Sequence, residues 1–129
     1  MSGNSLKTPL GRVRGLGSAK DGTHHFWLQR LTALAIIPLI LWLMISIISL
    51  VGAGREDVVS WLSSPLAALL LILFTVAAFW HMKLGLQTII EDYIHSEGRK
   101  LVAVILNNFI CIALGAACVL ATISMHLGG

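Results

Sequence analysis

Residues 66–95, LAALLLILFTVAAFWHMKLGLQTIIEDYIH, decide how this chain folds. The part up to Ile90 is long and apolar enough to cross a bilayer, which takes about 20 predominantly apolar residues. One histidine, His81, interrupts it. If the run is a single helix, His81 lies roughly 22 Å from its start and roughly 13 Å from its end, well inside hydrocarbon, where an imidazole must be held by a neighbouring helix, a water or a metal. At about 100° per residue, Asp92 returns to within about 20° of His81 and Gly85 lies about 40° away, so the three share one face. Glycine at that position leaves a gap beside the histidine, yet glycine also serves simple packing in membrane helices. The spacing alone therefore leaves both an interhelical hydrogen bond and a metal open. The run closes on Glu91, Asp92 and Tyr93, polar side chains suited to a water boundary.

Two further runs flank this one. The three predicted spans cover about residues 31–51, 66–90 and 101–127, and the composition agrees: 57% of the 129 residues are hydrophobic and 12% charged, with mean hydropathy +0.87. A soluble domain carries about 25% charged residues. The sequence therefore predicts an all-α membrane protein with three transmembrane helices, divided into a flexible basic segment over 1–22 and a three-helix membrane anchor over 23–129. The first run follows 30 mostly polar residues and reads as a retained span rather than a cleaved signal.

The charge of +3 is a topology signal and not a nucleic-acid surface, because Lys7, Arg12, Arg14, Lys20 and Arg30 all precede the first span. Arg99 and Lys100 lie in the connection after the second span, whereas the connection after the first holds only Arg55 and nothing basic follows the third. This asymmetry predicts that the N-terminus and Tyr93 lie in the cytoplasm, or on the matrix side of an organelle, with the C-terminus opposite, periplasmic in a bacterium.

Smaller features complete the reading. Pro38 sits in the first span, where it removes a backbone hydrogen bond. Ser64-Pro65 reads as an N-cap followed by proline at the first helical position, and a short interfacial turn is expected before it, ending at Trp61. His24, His25 and Arg30 lead into the first span, with Trp27 at belt depth. Lys83 points about 200° from His81 and is expected to snorkel or to pair with another subunit. Cys111 and Cys118 share a face but stand two turns apart, too far for a disulfide, and read as packing residues. The chain has no C-x-x-C, G-x-G-x-x-G, P-loop or H-E-x-x-H, so it holds no iron–sulfur, nucleotide or hydrolytic centre of its own.

Two motifs carry a resemblance. H-x3-G-x6-D-Y at His81, Gly85, Asp92 and Tyr93, preceded by H-x5-R-x-T-A at His24, Arg30, Thr32 and Ala33, resembles the small hydrophobic membrane-anchor subunit, cytochrome b556-type, of succinate dehydrogenase, respiratory complex II. That resemblance implies a subunit with no catalysis of its own that passes electrons from succinate oxidation to ubiquinone, in the tricarboxylic acid cycle and the respiratory chain. It implies a haem b shared with a second membrane-anchor (cytochrome b) subunit, with His81 as one axial ligand of the iron and Arg30 and His24 near the propionates. It further implies a ubiquinone site at Tyr93 and Asp92, an iron–sulfur subunit and a flavoprotein subunit as partners, and a bacterial inner membrane. The alternatives are a haem-free structural anchor and a small transporter subunit. The latter lacks the internal repeat that such transporters often show.

Overall fold

The structure, a computed structural model, describes residues 8–13 and 20–128. The described residues form helices only: α1 (Pro9–Val13), α2 (Lys20–Ser49), α3 (Arg55–Ser63), α4 (Pro65–Tyr93) and α5 (Glu97–His126). Three of them are long and apolar enough to span a membrane, over Gly22–Ser49, Pro65–Tyr93 and Glu97–His126. The chain is an all-α, multi-pass membrane protein. Most of the segment 1–22, read as flexible from the sequence, lies outside the described residues.

The helices outrun the predicted spans because an apolar run marks only what hydrocarbon requires, while a helix continues until something stops it. α2 starts at Lys20, eleven residues before the predicted Leu31, so His24, His25 and Arg30 occupy its first turns. Pro38 lies inside α2. It has no N–H to offer the Leu34 carbonyl. After α2 the chain turns through Gly52, whose φ of +82° suits glycine. α3 begins after Gly54, whose N–H donates to the Asp57 carboxylate at 3.0 Å. This nine-residue helix stands where a short turn ending at Trp61 is expected and runs on to Ser63, and its Trp61 stacks on Trp42 of α2 with ring centroids 5.8 Å apart. Ser64 is the N-cap of α4 by backbone conformation, with Pro65 at the first position. The Ser64 hydroxyl makes no capping bond, so the start is fixed by the proline and the extended backbone alone.

α4 is the middle of the fold. It packs against α2 on one side and α5 on the other, while α2 and α5 do not touch among the described residues. The three long helices thus form a single layer. Its seams are built from small or polar residues: Ser46, Ala67, Ala68, Thr75, Asn107, Cys111 and Thr122 are buried, and Leu84 is the one large side chain among them. Without a hydrophobic drive between helices in lipid, close approach and interhelical hydrogen bonds take over. Gly115 of α5 shows the first, since a Cβ there would come within 3.3 Å of Phe79. Asn107 shows the second: its side-chain amide donates to the Lys83 carbonyl at 2.9 Å, and its own oxygen accepts from the Cys111 thiol at 3.4 Å. Cys111 is buried in that seam and Cys118, two turns on, is exposed.

Candidate functional site

His81 meets α2. Its Nδ1 lies 3.1 Å from the Thr32 hydroxyl oxygen and 3.3 Å from the Gln29 carbonyl oxygen. Span two offers His81 nothing on its own face at that level, and the partners come from the neighbouring helix instead. No hydrogen bond reaches Nε2 among the described residues. The ring helps line a recess of about 280 Å³ at the α2–α4 seam, together with Phe26, Gln29, Arg30 and Ala33.

The recess combines an imidazole, a guanidinium and apolar walls. Arg30 is exposed, and its guanidinium carbon lies 5.1 Å from the centroid of the Phe26 ring, so the charge rests on an aromatic face at the rim. Gly85 lies one turn along α4 from His81 and abuts Gln29, where a Cβ would stand 3.9 Å from the side-chain nitrogen. That is ordinary contact distance, so packing within this chain would accept alanine there.

The other residues singled out from the sequence fall elsewhere. His24 is exposed and, six positions before Arg30, about 120° away from it round the helix. His25 turns inward instead: it is half-buried, and its Nε2 is shielded from solvent with no partner among the described residues. Asp92 and Tyr93 end α4, both exposed, Tyr93 at 78%. Twelve residues along α4 from His81, Tyr93 stands about 18 Å away along the axis. The structure therefore joins His81 to Arg30 in one recess and separates both from the Asp92-Tyr93 end.

Lys83 points away from the recess, as its spacing predicts. Its ammonium lies 4.2 Å from the centroid of the Trp80 ring, a cation–π contact with the preceding turn of its own helix. Trp80 and Val76 line two apolar grooves of about 310 and 350 Å³ on the side of the layer opposite the recess. No group of three or more His, Cys, Asp or Glu side chains gathers among the described residues. A closed structural metal site of three or four protein ligands is not built from them.

Thr32 and the Gln29 backbone were given no part by sequence reasoning. Thr32 belongs to the H-x5-R-x-T-A motif, so a signal was present. A backbone carbonyl leaves no mark in a sequence, and helical periodicity within one span does not say which turn of another span lies opposite.

Comparison with known proteins gives a consistent picture. Residues 4–115 match the family model described as succinate dehydrogenase/fumarate reductase transmembrane subunit. A succinate dehydrogenase hydrophobic membrane anchor subunit from Paracoccus denitrificans is 33% identical over 121 residues, covering 94% of this chain and 93% of that protein. A succinate dehydrogenase membrane anchor subunit from Reclinomonas americana is 30% identical over 96 residues, 72% of this chain and 80% of its own. The hydrophobic membrane anchor subunit from Rickettsia conorii is 28% identical over 117 residues, 90% and 93% of the two chains. No solved structure gives a significant match.

Proposed function

The chain belongs to the family of succinate dehydrogenase/fumarate reductase transmembrane subunits, and from that premise we propose that it supplies His81 as one axial ligand of a b-type haem and Tyr93 to a ubiquinone site. Its role as a succinate dehydrogenase membrane anchor carries the rest of the proposal. A second membrane-anchor subunit shares the haem, a flavoprotein and an iron–sulfur subunit deliver electrons from succinate, and the complex sits in a bacterial inner membrane. The N-terminus and the Asp92-Tyr93 end face the cytoplasm, following the basic flanks, and the C-terminus faces the periplasm.

The observation that carries the haem reading is the state of His81. One ring nitrogen is engaged by α2 and the other takes no hydrogen bond, in a recess that Arg30 also lines. These residues fit a haem. A haem held here would take one nitrogen from this chain, that of His81, and would need its further protein donor from the second anchor. Phe26 and Ala33 give the recess apolar walls, Gly85 adds no side chain beside the ligand, and the guanidinium at the rim suits a propionate carboxylate. His24 faces another way, so its share in holding the propionates rests on the family resemblance. Bound there, the haem supplies one-electron redox chemistry tuned by its axial ligands and surroundings.

At the other end of α4 the Tyr93 phenol can donate a hydrogen bond to a quinone carbonyl oxygen as that oxygen gains negative charge, and Asp92 beside it can pass on protons. Both are exposed in this chain, so the remaining walls of a quinone pocket belong to partner subunits.

A reduced-minus-oxidised spectrum of the purified complex tests the haem reading. A b-type α-band is expected, and its loss or alteration in His81→Ala. Absence of the band in the unmodified complex makes the chain a haem-free anchor. An unchanged low-spin signal in His81→Ala puts the ligand elsewhere.

A further inference from the structure

The hydrogen bonds at Nδ1 determine which tautomer His81 presents. The Gln29 carbonyl oxygen, 3.3 Å from Nδ1, can only accept. If Nδ1 carried a lone pair, two lone pairs would face each other at that distance. The Thr32 hydroxyl does not reverse this. It has one proton, and its oxygen lies 2.9 Å from the Leu28 carbonyl and 3.0 Å from the Gln29 carbonyl, both helical acceptors that claim it. The hydroxyl's lone pairs are then left for Nδ1, 3.1 Å away. The Gln29 contact therefore requires N–H at Nδ1 and the Thr32 contact is met by the same proton, which leaves the lone pair of a neutral ring on Nε2.

We infer that Thr32 is a positioning residue for the His81 ligand: together with the Gln29 carbonyl it accepts the Nδ1 proton, holds the ring in one tautomer and orientation, and strengthens Nε2 as a donor to iron. This rests on the haem reading proposed above. An acceptor behind a ligating imidazole fixes its tautomer and raises its basicity, and loss of such a partner typically costs about 10- to 100-fold in metal affinity. Here the acceptors are supplied by a different helix from the ligand. The seam between α2 and α4 is thereby coupled to the electronics of the site. A more basic imidazole favours ferric over ferrous iron, so removing the acceptor raises the haem midpoint potential. A tenfold loss confined to the ferric state corresponds to a rise of about 59 mV for one electron.

The test uses the whole purified complex carrying Thr32→Val, Thr32→Ser or His81→Ala, with redox titration and low-temperature EPR of the low-spin haem. Valine keeps the β-branched shape and removes the hydroxyl, whereas serine keeps the hydroxyl. The expected result is an upward shift of potential and altered g-values in Thr32→Val, or loss of low-spin haem there, with values close to the unmodified complex in Thr32→Ser. Unchanged potential and g-values in Thr32→Val overturn the inference while leaving the haem site standing. Equal changes in the valine and serine variants also overturn it, by assigning the effect to packing. A complex with no low-spin haem, or one whose low-spin signal survives His81→Ala, removes the site reading itself and is told apart by those two controls.

Discussion

Tyr93 is the residue on which the proposed quinone chemistry turns, and its position makes a sharp prediction. It ends α4, exposed, and no side-chain hydrogen bond of its own holds it within this chain among the described residues. Removing its hydroxyl should therefore leave this chain's packing intact. Hydrogen bonds to charged groups contribute about 1.5–3 kcal/mol. If the phenol donates to the quinone oxygen as charge develops there, Tyr93→Phe should lower quinone reduction by roughly ten- to a hundred-fold. Succinate oxidation with an artificial acceptor should survive, since that route does not need the quinone. Measuring both activities on one preparation checks this, and equal loss of both would point to assembly instead. At this scale the sequence was informative about candidates and less so about their company. The cost of a histidine in an apolar run singled out His81, and the run of basic residues before the first span included Arg30. What could not be read was that Arg30 lines the recess with His81 while His24 turns away, because that depends on where α2 crosses α4.

Between elements, the α4–α5 seam depends on Asn107. Its amide caps the Lys83 carbonyl and its oxygen takes the Cys111 thiol, so one side chain ties two helices and a third residue together. Interhelical hydrogen bonds in membrane proteins average about 0.6 kcal/mol and reach about 1.7. Asn107→Leu also removes the Cys111 acceptor and forces a larger branched side chain into a buried site, and should destabilise by about 1–2 kcal/mol. Denaturant titration of the chain in detergent or bilayer checks this, with Asn108→Leu as the comparison: equal effects at the two positions would remove the special role of Asn107. The element scale was the most legible in the sequence. Three apolar runs became three helices, the short turn expected before Ser64 is the helix α3, and Pro65 starts α4. The difference lies in α2, which begins at Lys20, eleven residues before the predicted span. Nothing in residues 20–30 breaks a helix strongly enough to stop it: the lone Gly22 costs about 1 kcal/mol, and the basic and aromatic residues that follow are tolerated where a span emerges into headgroups.

For the whole molecule, the single-layer arrangement sets what this chain can and cannot do alone. Three helices side by side leave two broad faces uncovered, and large apolar side chains such as Leu34, Ile45, Phe109 and Leu120 are more than half exposed on them. In a bilayer lipid covers such faces, but a single layer does not enclose a flat cofactor. Topology comes first in testing this: alkaline phosphatase fused after Gly129 should be active and the same enzyme fused after His95 inactive, as the basic flanks require. The reverse pattern would move Tyr93 to the wrong side for electrons delivered from a cytoplasmic iron–sulfur subunit. The layer then makes its own prediction. The recess with His81 and Arg30 opens at the α2–α4 seam, α5 does not reach α2, and among the described residues His81 is the one histidine that lines the recess. On the proposed reading, a second axial nitrogen must therefore come from outside the chain. Membranes containing this chain without its partner anchor should show no low-spin b-type spectrum, and co-production of the partner should restore it. A complete low-spin signal from this chain alone would mean that two copies face each other through His81, and would replace the paired-anchor arrangement with a symmetric one.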